Sequence, residues 1–150
     1  MHTVFSFRDP APWDQDRQIT RSAYAGVHTT PALSHAIEQA RKAVTRWSGP
    51  RDSVYIYDSP GAYLFVRGRI DTNIIWTPRG VSNQPTIDFF DRRHDVPDVV
   101  FMFSGGAQEV ARGEKRWRAT DPLIEYVYSH YDKVGTAGAS HLVFRKRSDG

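Results

Sequence analysis

The sequence predicts one α/β domain of three layers, in which a mainly parallel sheet carries helices on both faces and the last strands pair antiparallel at an edge. Three observations predict it. A chain of 150 residues is long enough for one hydrophobic core but not for two. Segments with helical periodicity alternate with short β-type segments, and the connections are mostly short. The segment Val99–Phe103 is apolar at every position, as in a central strand that is covered on both sides.

The first half of the chain contains the clearest helix, over residues 31–47 (PALSHAIEQARKAVTRW). Thr30 is a suitable N-cap before a proline at the first helical position, and Ser48-Gly49-Pro50 ends the helix. Its apolar face at helical spacing consists of Leu33, Ala36, Ile37, Ala40, Val44 and Trp47. Strands are then expected at Val54–Tyr57 and at Ile74–Thr77.

The second half alternates in the same way. A short helix is expected over Gln84–Phe90, ending near His94, and a further helix begins at Asp121-Pro122. The inner face of that helix is predicted to contain Leu123, Ile124, Val127, Tyr128 and Tyr131. A final strand pair is predicted at Val134 and His141–Phe144, and an edge strand at Val4–Phe7. The polar segment of residues 104–119 is expected to form an exposed loop or a lip over the sheet edge.

Composition excludes several kinds of site. The chain has no cysteine, which removes disulfides, thiolate catalysis and cysteine metal ligands. Its six histidines are dispersed without metal-ligand spacing, and no cofactor fingerprint is present, so neither a metal nor a cofactor is expected. The formal charge of +3 comes without a nucleic-acid-binding motif, and no apolar run approaches the ~20 residues of a membrane span.

A polar corner, Asp58-Ser59-Pro60-Gly61, follows the strand Val54–Tyr57. Working groups often lie at the carboxyl ends of strands in α/β proteins, so Asp58 could act as a ligand or base and Ser59 as a hydroxyl donor. The same four residues are ordinary turn formers, and proline after Ser59 does not fit the glycine-flanked nucleophile elbow. We interpret the corner as a turn that forms at most a binding lip.

Two other segments could bind an anion. Ser104-Gly105-Gly106 follows the central strand, where backbone N–H groups can hold a phosphate, although no complete phosphate-loop motif is present. Thr29 and Thr30 precede the first helix, whose N-terminus could do the same. The simpler interpretation there is that Thr30 caps the helix and Thr29 faces solvent.

Aromatic residues are plentiful, and Trp76, Trp117, Tyr63 and Tyr131 could either stack on sugar rings or belong to the core. Trp117, between Arg116 and Arg118 in a polar segment, is the best candidate for an exposed ring.

The order of several segments resembles a known family. The first is a Gly-hydrophobic-x-Thr-Thr-Pro segment that leads into a helix. A strand then ends in D-x-P-x-x-Y-L-F. The next segments are R-G-R-I-D-T-N, P-D-V-V-F and D-P-L-I-E-Y-V-Y-S-H-Y, and the last is H-L-V-F-R-K. The matching stretches are Gly26–Pro31, Val54–Phe65, Arg67–Asn73, Pro97–Phe103, Asp121–Tyr131 and His141–Lys146. Together they resemble the soluble C-terminal region of polytopic membrane glycosyltransferases that use polyprenyl-phosphate sugars, of the mannosyl- and arabinosyltransferase type.

The resemblance implies a domain on the extracytoplasmic face of the plasma membrane, anchored through membrane helices outside this sequence. Its partners would be the transmembrane part of the same chain and a cell-envelope glycan acceptor, with no nucleic acid. In this family the catalytic carboxylate lies in an extracytoplasmic loop near the first membrane helices, so the resemblance gives no residue here a catalytic role. The expected glycan-binding rim is Asp58, Ser59, Tyr63, Arg67, Arg69, Asp71, Asn73, Arg79 and Trp117.

A competing hypothesis is a small soluble α/β enzyme or binding protein for a phosphorylated metabolite. Its anion cradle would be Ser104-Gly105-Gly106, or Thr29 and Thr30 at the start of the first helix.

Overall fold

The helices and strands of the computed structural model alternate largely as the sequence predicts. The structure describes residues 12–57, 59–75, 83–93, 95–103, 121–137 and 141–147. In chain order the strands and helices are β1 (Arg17–Gln18), β2 (His28–Thr29), α1 (Pro31–Trp47), β3 (Ser53–Tyr57), a 3-10 helix (Pro60–Phe65), β4 (Arg69–Ile70), α2 (Gln84–Arg93), β5 (Val99–Phe103), α3 (Pro122–His130), β6 (Tyr131–Ala137) and β7 (His141–Lys146), after a short 3-10 turn at Pro12–Asp14.

Five of these strands form one sheet in the order β4-β3-β5-β7-β6, and β1 pairs with β2 in a separate hairpin. Strand β3 is parallel to both β4 and β5. Strand β7 is antiparallel to both β5 and β6. The mixed α/β class and the C-terminal strand pair are therefore confirmed, and the sheet has as many antiparallel as parallel pairings among its described strands.

Alternation along the strands divides the core into two clusters, one for each face of the sheet. On one face, Ala40, Ala43 and Val44 of α1 pack with Val54, Ile56, Val99, Phe101 and Val143, and with Ala62 and Tyr63 of the 3-10 helix. On the other face, residues of α2 and α3 pack with Tyr55, Tyr57, Val100, Met102, Leu142 and Phe144. Val99–Phe103 is thus the central strand that the sequence predicts.

Helix α1 is longer than the sheet that it covers. Its 17 residues span about 25 Å, whereas the five residues of β3 span about 17 Å. The C-terminal half is buried at Ala43 and Val44, but Leu33 in the first turn remains 47% exposed, although the sequence places it on the same apolar face. The N-terminal half is therefore less covered than the C-terminal half, and we call it the overhanging half of α1.

The strand predicted at Ile74–Thr77 is wrong in its described part. Ile74 and Ile75 lie in irregular chain and are exposed, and the strand beside β3 is instead the short β4. Thr72 explains the difference, because its hydroxyl donates to the carbonyl of Ile74 and accepts from the N–H of Ile74. Such local bonds compete with a strand ladder. Trp76 and Thr77, the predicted strand Val4–Phe7 and the segment 104–119 lie outside the described residues.

Candidate functional site

The predicted glycan-binding rim is divided between two ends of the sheet. Ser59 lies two positions after the last residue of β3, whereas Arg69 pairs with Ser53 at the beginning of the same strand. The Cα atoms of the first and last residues of β3 are about 13 Å apart. Arg67 and Asn73 are exposed, and the amide of Asn73 donates to the carbonyl of Pro85. The structure therefore does not bring the described rim residues into one surface; the rim residues Asp58, Arg79 and Trp117 lie outside the described chain.

Tyr63, expected on the rim, is buried. Its hydroxyl accepts from the N–H of Ile56 at 2.8 Å and donates to the carbonyl of Ile56 at 3.2 Å. These two groups point toward β4, which pairs only with Ser53 and Val54 and ends before it reaches Ile56. Burial raises the pKa of Tyr63 to about 12. The expectation of an exposed ring is therefore wrong, because the side chain completes the edge of the sheet.

Asp71, also expected on the rim, is 1% exposed. Its two carboxylate oxygens each accept from an arginine at 3.3 Å, one from Arg69 and one from Arg93. Burial raises the pKa of Asp71, while the two arginines oppose that shift. Arg69 is also paired with Asp95. This cluster of charged side chains connects β4 to the end of α2. The predicted exposure of Asp71 is therefore wrong, because its carboxylate is buried in these contacts.

A buried polar cluster lies at the carboxyl end of β3. The Asp121 carboxylate accepts from the Tyr57 hydroxyl at 2.8 Å and from the Asn83 amide at 2.6 Å. Its other oxygen accepts from the N–H of Leu123 and so caps α3. Asn83 directly precedes α2, so one carboxylate lies beside the N-termini of two helices. The sequence marked Asp121 only as a helix start, and nothing in its spacing pointed to Tyr57 or Asn83.

The two threonines of the predicted anion cradle have different environments. Thr30 caps α1 as expected, since its hydroxyl accepts from the N–H of Leu33 at 3.2 Å. Thr29 does not face solvent as predicted, because it pairs in the β1–β2 hairpin and is 3% exposed. Its hydroxyl has no hydrogen-bond partner among the residues that the structure describes. The other predicted cradle, Ser104-Gly105-Gly106, lies outside the described residues.

The N-terminal half of α1 forms one wall of an open cleft of about 750 Å³. The opposite wall is the segment Arg17–Ser22. The lining residues are Arg17, Gln18, Ile19, Thr20, Arg21 and Ser22 from that segment, and Pro31, Ser34, His35, Ile37, Glu38 and Arg41 from α1. Its volume is in the range of small-molecule sites in proteins. Sequence reasoning missed it because the cleft lies between a hairpin and a helix overhang that no motif marks.

Backbone hydrogen bonds and one aromatic contact stabilise the hairpin wall of the cleft. The N–H of Ile19 donates to the carbonyl of Val27, and the N–H of Gly26 donates to the carbonyl of Ile19. Gly26 has a φ of 92°, which glycine tolerates, but Ser22 has a φ of 82°, which costs free energy in a residue with a side chain. The ring of Tyr24 contacts the ring of Phe65 at a centroid distance of 5.6 Å and so anchors the hairpin on the 3-10 helix.

The cleft is positively charged. Its lining contains three arginines and one glutamate, a formal charge of +2 with histidine neutral. Arg41 binds both carboxylate oxygens of Glu38 at 2.7 and 2.8 Å, and this contact lowers the pKa of Glu38. Arg17 and Arg21 are exposed, and neither has an ion-pair partner in the described part of the chain. Glu38, the only acid among the described lining residues, is therefore already bound by an arginine from its own helix.

Catalytic arrangements are not evident in the ranges that the structure describes. No group of three or more His, Asp or Glu side chains there could hold a metal ion. The described hydroxyls of Ser53 and Tyr57 bond to Asp98 and Asp121, but no histidine stands between hydroxyl and carboxylate as a base. The first contact joins β3 to the residue before β5, and the second joins β3 to the N-cap of α3. Both contacts therefore have a structural role.

Compared with known proteins, the chain matches no family model, and no curated protein and no solved structure matches it. Within the described ranges, no helix has both the length and the apolar character needed to cross a membrane.

Proposed function

We propose that this chain is a non-catalytic, three-layer α/β domain of a membrane glycosyltransferase, and that it holds a glycan acceptor on the extracytoplasmic face of the membrane. The sequence resemblance supports the enzyme class. The observation that carries the binding role is the open cleft of about 750 Å³ between Arg17–Ser22 and the overhanging half of α1. An open cleft suits a chain-like ligand, because the ligand can continue beyond both ends of the contact.

The lining of the cleft suits a carbohydrate. A sugar hydroxyl both donates and accepts hydrogen bonds, and the side chains of Gln18, Thr20 and Ser34 can do the same. Ile19 and Ile37 add apolar surface that can contact the C–H face of a sugar ring. Most binding sites combine a few polar groups with apolar contact in this way.

The alternative of a phosphorylated metabolite at the carboxyl edge is less well supported. The positive ends of α2 and α3 are where a phosphate would be expected. The carboxylate of Asp121 already occupies that position and accepts from Tyr57 and Asn83. A second anion there would be repelled by the first, so the cleft is the better location for either ligand.

An NMR titration of the isotopically labelled chain tests the proposal. Short arabinan, mannan and galactan oligosaccharides are added separately, with common nucleotides as a further series. We expect saturable shifts of amides in Arg17–Ser22 and in the first half of α1 with one of the glycans. Gln18→Ala combined with Ser34→Ala should weaken that binding, whereas Lys42→Ala, on the same helix but outside the cleft lining, should not.

Two results would contradict the proposal. Saturable shifts with a nucleotide and none with any glycan would favour the soluble metabolite-binding protein. Glycan shifts confined to residues far from the cleft would reject its assignment as the acceptor site.

A further inference from the structure

We infer that the ligand of the cleft carries a phosphate or carboxylate group, and that Arg17 and Arg21 bind it. This inference deepens the proposed function and rests on it for the carbohydrate part of the ligand. It concerns the charge of the ligand, which neither the sequence resemblance nor the fold assigns.

The charge balance of the cleft favours an anionic ligand. A neutral glycan requires donors and acceptors but no excess of positive charge. The lining nevertheless has a formal charge of +2, and its one acid, Glu38, is bound by Arg41 and also lies 3.9 Å from the ammonium group of Lys42. Arg17 and Arg21 therefore add cationic groups that no acid of the cleft neutralises.

Arg17 and Arg21 differ from several other arginines of this chain in having no carboxylate partner among the described residues. Arg41, Arg69, Arg93, Arg145 and Arg147 are each within 4.0 Å of a carboxylate. Arg17 and Arg21 make no such contact among the described residues, although Asp14 and Asp16 are close to them in sequence. Four other described arginines, Arg46, Arg51, Arg67 and Arg92, also make no such contact within the described ranges, but they do not line the cleft. Arg17 and Arg21 differ from these four because they are placed where a ligand in the cleft can reach them.

The guanidinium group is well suited to bind an anion. Its planar set of N–H donors matches the two oxygens of a carboxylate or phosphate, and charge-assisted bonds of this kind are about twice as strong as neutral ones. Two arginines separated by three residues in one wall of the cleft can bind a single anionic group from two sides. A free phosphate and a phosphate on a glycan present the same oxygens, so the chemistry is common to both sources.

Isothermal titration calorimetry and NMR with matched ligands test the inference. A neutral mannan oligosaccharide is compared with the same oligosaccharide carrying one phosphate, and inorganic phosphate is titrated alone. The double variant Arg17→Gln/Arg21→Gln removes the charges. The variant Arg46→Gln is the control, because Arg46 is an exposed arginine of α1 that does not line the cleft. Amide spectra of each variant report whether it remains folded.

We expect the phosphorylated oligosaccharide to bind about tenfold or more tightly than the neutral one. The double variant should abolish that difference. Arg46→Gln should keep the difference, and the preference should weaken with added salt.

Equal affinities for the neutral and phosphorylated oligosaccharides would overturn the inference and leave the proposed glycan-binding role intact. A preference that survives in the double variant would also overturn it. If no oligosaccharide binds but inorganic phosphate shifts the amides of Arg17–Arg21 in the wild type alone, the anion site is supported and the glycan function falls.

Discussion

At the scale of single residues, the hydroxyl of Tyr63 replaces a missing strand. Ile56 belongs to β3, and its N–H and carbonyl point to the side where β4 has already ended. A buried backbone group without a partner costs free energy, so another donor and acceptor must be supplied. The phenol supplies both, at 2.8 and 3.2 Å, from the 3-10 helix that connects β3 with β4.

The variant Tyr63→Phe tests this role. It keeps the ring in the core but leaves both groups of Ile56 unpaired, and we expect the free energy of unfolding to fall by about 1–3 kcal/mol. Urea denaturation of the wild type and the variant measures the difference. Tyr24→Phe is the matched control, because Tyr24 is less buried and makes a ring contact with Phe65 that phenylalanine keeps. Equal losses in both variants would argue against a special role for the Tyr63 hydroxyl.

The buried carboxylate of Asp71 leads to a prediction about pH. Its pKa is raised in the folded protein, mainly by burial, so the fold favours the neutral carboxyl group. Stability from this group is therefore fully present below the unfolded pKa of about 3.9 and is lost as the pH rises through the higher folded pKa. We expect the wild type to lose stability relative to Asp71→Asn as the pH increases from about 4 to 7.

Urea denaturation at several pH values in that range measures the difference between the two proteins. Asp132→Asn provides the comparison, because the Asp132 side chain is 68% exposed and remains hydrated in both states. If the gap between the wild type and Asp71→Asn instead widens in favour of the wild type with rising pH, the ion pairs with Arg69 and Arg93 outweigh the cost of burial.

At the scale of elements, α2 and α3 depend on one shared carboxylate. Asp121 caps α3 through the N–H of Leu123 and also binds Tyr57 of β3 and Asn83 before α2. Thr30 caps α1 through the N–H of Leu33 and makes no comparable contact with other elements among the described residues. The two caps have similar local geometry but differ in how many elements they connect.

Alanine substitution at the two caps should therefore have unequal effects. We expect Thr30→Ala to lower the free energy of unfolding by about 1 kcal/mol, as for an ordinary N-cap. Asp121→Ala should cost about 2–4 kcal/mol, because it also leaves buried polar groups of Tyr57 and Asn83 without their acceptor. Thermal or urea denaturation gives both values. A loss at Asp121 no greater than at Thr30 would show that the contacts beyond the cap contribute little.

Sequence patterns predicted elements better than they predicted the site. Proline at the first helical position, a capping side chain and helical spacing located α1 and α3 well, because these are local signals. The strand predicted at Ile74–Thr77 failed in its described part, Ile74 and Ile75, because apolar composition does not reveal that the Thr72 hydroxyl bonds locally. Burial of Tyr63 and Asp71 also depends on how far β4 extends, which is a property of the tertiary structure.

At the scale of the whole molecule, the cleft lies between two elements that are not part of the main sheet. One wall is the N-terminal half of α1, and the other is the segment Arg17–Ser22, which belongs to the separate hairpin of β1 and β2. Neither feature has a short sequence motif, so the site could be found only once the elements were assembled. The hairpin has two-residue strands, whereas β5 lies in the middle of the main sheet with parallel β3 on one side and antiparallel β7 on the other.

This contrast predicts a gradient of local stability that hydrogen exchange can measure. Amides of short, exposed hairpins open with small free energies, whereas those of central strands exchange only through large-scale unfolding. We expect the hairpin amides of Ile19 and Gly26 to exchange at least about a hundredfold faster than those of Val100 and Phe101. A ligand that bridges the hairpin and α1 should slow exchange in the hairpin and leave β5 unchanged.

The variant Tyr24→Ala separates the hairpin's anchor from the cleft itself. It removes the ring contact with Phe65, so exchange in the hairpin should become faster while the sheet remains protected. Ligand affinity should fall as well, because binding must then also restore the position of the hairpin. If the hairpin amides of the wild type exchange as slowly as those of β5, the cleft is a preformed rigid site, and Tyr24→Ala should weaken binding only as far as it destabilises the whole domain.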